Sequence, residues 1–147
     1  MSATAGLLTA IKARADGDTG AGGLFASGAA IITGWYSLLG PQETASADTI
    51  YPFVVASPID HRRLNAFDAT DFADEIFMQF ALYCDGKRDL TTDQTVVDAI
   101  ITRFDRWAPT VSGYTPSQLI HDGSNLIQQD DNIRQHIIEM RCLLGKT

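Results

Sequence analysis

The residues of this chain that are best suited to metal binding or catalysis are widely spaced. The three histidines, His61, His121 and His136, lie far apart, and none is near another histidine or a cysteine at a metal-ligand spacing. His136 falls in a strand-like run, which favours a hydrogen-bonded, half-buried side chain. His121 precedes Asp122-Gly123, as a turn residue does. The sequence therefore predicts no metal site and no cofactor.

Carboxylates are densest between positions 68 and 75, where Asp68, Asp71, Asp74 and Glu75 follow one another closely. Such a group could supply paired carboxylates for acid–base catalysis or could bind a cation. However, its spacing is not that of an EF-hand loop, and the required glycine is missing. The sequence favours the alternative, a solvated entrance to a strand.

Motifs for nucleophilic catalysis and nucleotide binding are also missing. No serine lies in a GxSxG sequence. Cys84 and Cys142 are far apart and lie in apolar, strand-like runs, which predicts buried free thiols. The glycine-rich stretch 16–23 is followed by no Lys-Ser or Lys-Thr pair, so it is not a phosphate-binding loop. We expect a protein that is not an enzyme and has no catalytic residues.

Length and charge narrow the function classes further. A chain of 147 residues fits one domain, and about 70% of its unfolded surface can be buried without disulfides or metals. The formal net charge is −7, and the only basic pairs are Arg62-Arg63 and Lys87-Arg88, which argues against tight binding to DNA phosphates. No secretory signal and no run of about 18 apolar residues is present, so we expect a soluble protein made in a reducing cytosol.

Helical periodicity predicts two helices. The first spans residues 3–15 and ends at Asp16-Gly17, and a mobile glycine-rich loop is expected at 16–28. Thr91 and Gln94 have the spacing of a capping box, which predicts that the second helix starts there and stops before Pro109. Its core-facing stripe consists of Val96, Val97, Ile100, Ile101 and Phe104.

Five segments are predicted to be strands: 30–38, 50–57, 74–84, 117–129 and 132–144. In the third, Ile76, Met78, Phe80 and Leu82 alternate with mixed residues, so this apolar face should pack on the second helix. Pro52 should lie at a strand start or on an edge, and residues 121–123 suggest a bulge. The element order predicts a single α+β domain over residues 1–147, with a mostly antiparallel sheet packed against two helices.

Residues 58–73 form a polar segment that is longer than a hairpin needs, and the sequence predicts a long inter-strand loop there. Within it, Arg62, Arg63, Leu64 and Phe67 combine basic and apolar side chains without a core-facing period. Arginine and aromatic side chains are favoured interface anchors. These four residues are therefore candidate contacts to another subunit or protein, and a plain surface loop is the alternative.

The pattern of elements resembles the tail-terminator or tail-completion proteins of long-tailed bacteriophages. The resemblance is carried by Tyr51-Pro52-Phe53-Val54-Val55, the alternating strand from Glu75 to Cys84, and the helix from Thr91 to Phe104. It extends from Leu7 to Leu144. The long segments 16–28 and 60–71 depart from the family pattern and leave open which neck or tail component the chain is. The family has no catalytic residues to assign.

The resemblance implies a virion structural protein, made in the host cytoplasm, that forms a ring at the head-proximal end of the tail. The ring, usually a hexamer, would cap the tail tube, end polymerisation of the major tail tube protein and join the tail to the head connector. DNA would pass through its lumen without specific binding, which is consistent with the acidic charge, and no membrane would be involved. The alternatives are another neck, head-closure or minor tail protein of similar fold, and a small α+β ligand-binding domain or enzyme.

Overall fold

The computed structural model of the chain describes residues 2–38, 40, 51–65, 71–115, 117–128 and 133–146. Its elements are, in chain order, α1 (Ala3–Asp16), β1 (Gly34–Ser37), β2 (Phe53–Asn65), β3 (Asp71–Asp85), α2 (Leu90–Phe104), β4 (Tyr114–Thr115), β5 (Leu119–Gln128) and β6 (Ile133–Lys146). The predicted α+β class is confirmed. Within these residues, no helix is both long and apolar enough to cross a membrane.

The strands form one six-stranded sheet in the order β1-β2-β3-β6-β4, with β5 also paired to β6. The first pair, β1 and β2, is parallel, and the other described pairs are antiparallel, so the sheet is mixed rather than purely antiparallel. Within the described residues, β1, β4 and β5 each pair with one strand only. The sheet therefore ends in β1 and the last part of β2 on one side, and in β4 and β5 on the other.

The long strands β2, β3 and β6 form the centre of the sheet. They contain 13, 15 and 14 residues, and β3 pairs with both of the others over most of its length. In β5 the register shifts between His121 and Gly123, as the sequence predicted. The connection between β5 and β6, residues 129–132, lies outside the described residues. Pro52 directly precedes β2, where its missing N–H is harmless.

The hydrophobic core lies between the two helices and one face of the sheet. The β3 residues Ile76, Met78, Phe80 and Leu82 are fully buried there, and α2 contributes Val97, Ile100 and Phe104, with Ile101 partly buried. The rings of Phe80 and Phe104 are 5.2 Å apart, and Trp35 of β1 packs within 5.0 Å of each. This confirms the predicted packing of the third strand on the second helix. Helix α1 adds Leu7, Leu8 and Ile11 to the same cluster.

The start of α2 differs from the capping box that the sequence predicted. The N-cap is Asp89, whose carboxylate accepts a hydrogen bond from the backbone N–H of Thr91 at 3.1 Å. Thr91 lies inside the first turn, where its carbonyl accepts a bond from the Thr95 hydroxyl. An aspartate at the N-cap satisfies an orphan donor and places negative charge at the positive end of the helix, so it serves as well as threonine.

The glycine-rich segment predicted as a loop at 16–28 contains no helix or strand after α1, and hydrogen bonds hold its first half together. One carboxylate oxygen of Asp18 accepts a bond from Leu24 N–H, and the Asp18 carbonyl accepts one from Phe25 N–H, both at 2.9 Å. Leu24 is buried as a result. Gly23 packs so closely on Asp18 that a Cβ atom there would lie 2.4 Å from the Asp18 carbonyl oxygen. The turn therefore requires glycine at this position.

The long loop predicted at 58–73 is wrong over most of its length, because residues 58–65 belong to β2 and residues 71–73 to β3. Residues 66–70 lie outside the described part of the chain. The sequence did not predict this strand because it shows no alternation of apolar and polar residues here. Both faces are solvated, and the residues from 59 to 63 are all exposed. Strand pairing with β3, not an apolar period, determines the conformation of this segment.

Candidate interaction surfaces

The far half of β2, residues 59–65, forms an exposed extension of the sheet, which we call the β2 arm. Strand β1 pairs with β2 only from Phe53 to Ala56. Beyond Ala56, no strand within the described residues pairs with the outer side of β2, while its inner side stays paired with β3 as far as Asn65. The arm therefore has a backbone edge able to accept another strand.

The β2 arm separates the candidate contact residues between two faces of the sheet. Arg62 lies opposite Glu75 and Leu64 opposite Ala73, whereas Arg63 lies opposite Asp74. Since cross-strand partners share a face, Arg62 and Leu64 lie on the face away from the helices, and Arg63 lies on the helix side. Phe67 is outside the described residues. The structure thus brings Arg62 and Leu64 together but does not group them with Arg63.

Arg62 lies flat on the surface of the arm. Its Nε donates to a carboxylate oxygen of Asp60 at 2.9 Å, and its guanidinium carbon is 5.3 Å from the ring centroid of Phe77. The side chain remains 65% exposed. An exposed ion pair of this kind contributes at most about 1 kcal/mol, so the guanidinium can be recruited by a partner at low cost.

Beside Leu64, a shallow cleft of about 280 Å³ opens where the end of β2 and the start of β3 approach the start of β5. Its lining combines apolar side chains with one acid and one base and includes Leu64, Glu75, Ile120, Arg141 and Leu143. The cleft is smaller than the pockets of ~300–1,000 Å³ that typically enclose drug-sized ligands. Leu143 is an exposed large apolar residue at its edge. The cleft therefore presents an apolar edge beside the opposite charges of Glu75 and Arg141 at the surface.

The predicted carboxylate cluster is divided by the strand alternation. Asp74 is buried and accepts a bond from His61 Nε2 at 3.0 Å, while Glu75 lies on the opposite face of β3. Burial alone would raise the pKa of Asp74, but the hydrogen bonds from His61 and Tyr114 outweigh it and hold that pKa below its ordinary value. Asp74 therefore links β2, β3 and β4 as a paired structural carboxylate.

A second polar group lies inside the protein, where α2, β3 and β6 meet. Cys84, Asp93 and His136 are all buried, and one potential ligand atom of each lies within 4.8 Å of those of the other two. Asp93 accepts a bond from Arg134 Nε at 2.6 Å and another from His136 Nε2 at 3.0 Å, both on the same oxygen. Arg134 also donates to the backbone carbonyls of Asp85, Gly86 and Arg88, which precede α2.

The electrostatics of this buried cluster suit a structural network better than a metal site. Burial, followed by the charge of Asp93, raises the pKa of Cys84 to about 12, whereas metal binding requires the thiolate. A divalent cation bound to Asp93 would also lie next to the guanidinium of Arg134, which repels it. This cluster could not be predicted from the sequence. Arg134 and His136 follow Asp93 by more than forty positions, and no motif has that spacing.

The other end of the sheet presents exposed apolar residues on the edge strand β5. Leu126 is 49% exposed and Ile127 is 48% exposed. They lie on opposite faces, because Leu126 pairs with His136 on the core side of β6 and Ile127 pairs with Gln135 on the other side. From the sequence, both residues could be recognised only as apolar residues in a predicted strand. That they lie on an edge follows from the strand order alone.

Comparison with known proteins supports the fold over the whole chain. No protein-family model matches the sequence, and no curated protein matches it significantly. Among solved structures, the chain is similar to a chain of the virion of a native gene transfer agent particle. The TM-score is 0.69 at 14% sequence identity, and the alignment covers 99% of each chain. At this identity the similarity establishes a shared fold from end to end.

Proposed function

We propose that this chain is a structural subunit of a phage-like virion. The observation that carries the proposal is the similarity to a chain of the gene transfer agent virion, which covers 99% of both chains. A match of this extent is what two proteins with the same place in related particles would give. Fold by itself does not determine function, so the role must be argued from the surfaces as well.

Within the virion, the function we propose is that of a tail terminator or tail-completion protein. The chain would form a ring, taken to be a hexamer, at the head-proximal end of the tail, stop polymerisation of the major tail tube protein and join the tube to the head connector. A ring needs a heterologous interface, in which two different surfaces of each subunit meet. Within the described residues, the outer side of the β2 arm and the last part of β5 are unpaired edges at opposite sides of one sheet, and two such surfaces could meet in a ring.

A structural rather than enzymatic role is supported by how the polar groups are used. Asp74 and Asp93, the buried carboxylates of the part of the chain that the structure describes, are each paired with basic side chains. The cleft beside Leu64 has Glu75 and Arg141 in its lining but contains neither histidine nor metal-ligand cluster among its described residues. Catalytic sites instead gather titratable groups in a cleft that holds substrate.

The test is to delete the gene of this chain from the set of genes that encodes the virion. The particles that are then produced are inspected by negative-stain electron microscopy. Loss of a tail terminator leaves tube growth without an end point, so tubes of variable and excessive length, unattached to heads, are expected. Restoring the gene on a plasmid should restore a uniform tail length. A tail of normal length and normal attachment would reject a virion role at this junction.

The same images separate the neighbouring structural role from the proposed one. If the chain is a neck or head-closure protein, tails should keep their normal length but remain detached, and heads should lose their DNA. If it is a minor tail protein, heads should keep their DNA while tails are short, absent or unable to deliver it. Only over-long tubes support the terminator function.

A further inference from the structure

We infer that a groove between the C-terminal ends of α1 and α2 binds an acidic peptide segment of another virion protein. We call it the arginine groove. It is defined by Arg14 in the last turn of α1, Arg103 in the last turn of α2, and Trp107 shortly after α2. The inference rests on the proposed place in a virion only for the source of that segment, and it does not depend on the terminator role.

Two cavities adjoin the same pair of arginines. One, of about 320 Å³, extends from Arg14 and Arg103 toward the turn at 22–23. The other, of about 430 Å³, extends from the same two side chains past Trp107. Apart from the arginines, Asp18 and Trp107, both linings consist of alanine, glycine and threonine. Such small side chains leave room for a peptide backbone to approach the guanidinium groups.

The guanidinium of Arg14 is held in place within the protein. Its Nε donates to the backbone carbonyl of Arg103 at 2.9 Å, and its Cζ atom lies 4.8 Å from the ring centroid of Trp107. Trp107 in turn contacts the core edge-on through Phe104, with the ring centroids 5.8 Å apart. A side chain that is already ordered loses little conformational entropy when it binds a ligand, so more of the interaction appears as affinity.

Within the described residues, neither arginine of the groove donates to a carboxylate at hydrogen-bond distance. The acid beside Arg103 is Asp18, whose Oδ1 lies 3.7 Å from Arg103 Nε, which is too far for a hydrogen bond. Asp18 is held in this position by its other carboxylate oxygen, which accepts a bond from Leu24 N–H. The side chain of Arg103 is 33% exposed. The groove therefore keeps guanidinium donors for a carboxylate from outside the chain.

The arginine groove is a local excess of positive charge in an acidic chain. Two guanidiniums lie there beside one carboxylate, whereas the whole chain has a formal net charge of −7. Burial lowers the pKa of Arg14, and the neighbouring charge of Arg103 lowers it further. A bound anion would offset this repulsion. Since the planar fork of arginine matches a carboxylate, such an anion would accept charge-assisted, bidentate hydrogen bonds.

The groove suits a carboxylate of a protein better than the phosphates of a nucleic acid. Nucleic acids are bound by rows of basic side chains that contact several phosphates, and this groove supplies two arginines beside an acid. Its small lining instead accommodates a polypeptide in which aspartate or glutamate alternates with small residues. Arginine clusters recognise acidic motifs in this way. The occupant is therefore an acidic segment of a partner protein.

NMR titration of the purified full chain tests the proposal. The probe is a capped Ala-Glu-Ala-Glu-Ala peptide, and the control peptide has glutamine in place of both glutamates. The signals followed are the Nε–H groups of Arg14 and Arg103 and the indole N–H of Trp107. Arg103→Gln removes one guanidinium but keeps the backbone carbonyl that positions Arg14. Lys87→Gln removes the same charge at an exposed turn before α2 and is the matched control. Thermal melting confirms that each variant is folded.

The glutamate peptide should shift all three signals. The glutamine peptide should bind at least about tenfold more weakly, because the loss of a charge-assisted hydrogen bond costs at least that factor. Arg103→Gln should weaken binding of the glutamate peptide by the same factor, whereas Lys87→Gln, whose charge is remote and screened, should change it less than about twofold. Unshifted signals at about 10 mM peptide, or equal affinity for the two peptides, would overturn the proposal.

Two other occupants give distinct results. Tighter binding of a short thymidine oligonucleotide than of the glutamate peptide, at the same signals, would assign the groove to nucleic acid and overturn the proposal. Self-association of the wild-type chain that is lost in Arg103→Gln, measured by analytical ultracentrifugation, would assign it to a second copy and also overturn the proposal. The titration uses the purified chain and the terminator test uses whole particles, so either proposal can fail while the other stands.

Discussion

Arg134 on β6 donates from Nε to the Asp93 carboxylate across 2.6 Å and thereby ties the last long strand to the first turn of α2. The same guanidinium reaches the backbone carbonyl of Gly86 at 3.1 Å, in the turn that leads from β3 to the helix. His136, two positions further on β6, donates from Nε2 to the same Asp93 oxygen at 3.0 Å. One buried carboxylate thus fixes where α2 begins relative to the sheet.

Removal of either partner of this pair should destabilise the protein strongly. Asp93→Asn or Arg134→Met should each cost about 3–5 kcal/mol of unfolding free energy, because the remaining buried charge loses its partner. Denaturant titration measures the loss. Asp98→Asn is the matched control, since Asp98 lies exposed on the same helix, where it accepts one bond from Gln94, and its loss should cost under about 0.5 kcal/mol. Equal losses in the control would contradict the proposed anchor.

The same carboxylate should make stability depend on acid. Burial raises the pKa of Asp93, but the hydrogen bonds from Arg134 and His136 outweigh it, so the folded-state pKa lies below the ordinary value. This contribution is complete above the unfolded pKa of about 3.9 and is lost as the pH falls through the lowered folded value. Unfolding free energy measured against pH should therefore drop below about pH 4. The drop should be smaller in Asp93→Asn, and an unchanged acid profile in that variant would reject this assignment.

The aromatic contact between β3 and α2 should dominate the core. Phe80→Ala or Phe104→Ala should each lower the unfolding free energy by about 3–5 kcal/mol, since both rings are fully buried and the cavity cannot collapse completely. The double variant should lose less than the sum, because the rings are in contact. Leu90→Ala is a control at an exposed position. Losses below about 1 kcal/mol at both rings would show that this pair does not organise the core.

Both native cysteines should be inert while the protein is folded. Burial raises the pKa of Cys84 and of Cys142 to about 12, so only about one thiol in ten thousand is ionised near pH 8. Reaction with a chromogenic disulfide reagent should be at least about a hundredfold slower than for a free thiol. In denaturant, two thiols per chain should react at the ordinary rate. Rapid labelling of the native protein would mean that a buried strand opens readily.

The arm should matter for assembly and not for folding. The double change Leu64→Ser with Phe67→Ser removes two candidate contact side chains, of which Leu64 borders the cleft and Phe67 lies outside the described residues. We expect an unchanged melting temperature together with tails of uncontrolled length or failed head joining. Loss of folding would show that these residues belong to the core. Normal folding together with normal virions would show that the interface does not include this end of the arm.

Much of the fold was predictable from local pattern. The stripe of α1, the alternation of β3 and the stripe of α2 each repeat at the period of their element, so their buried faces could be identified without knowing what they face. The contact of β3 with α2 followed because these were the two longest apolar faces. The buried state of Cys84 and Cys142 followed from the apolar runs around them.

Pairing partners, in contrast, were decided only by the tertiary structure. The β2 arm is a strand because β3 pairs with it. Its polar sequence has no apolar period from which a strand could be predicted. The parallel alignment of β1 with β2 likewise depends on how the chain crosses between them. Which strands form the edges is a property of strand order, so the exposure of Leu126 and Ile127 could not be read from their apolar character.

The sequence by itself determined the buried faces of α1, β3 and α2, because each face follows from the period of apolar side chains along a single element. The tertiary structure alone decided that Asp93, Arg134 and His136 meet, because they come from a helix and a strand about forty residues apart. Sequence spacing has no fixed relation to distance once a sheet has formed. For the same reason, the edges of the sheet could be identified only when the strands were placed side by side.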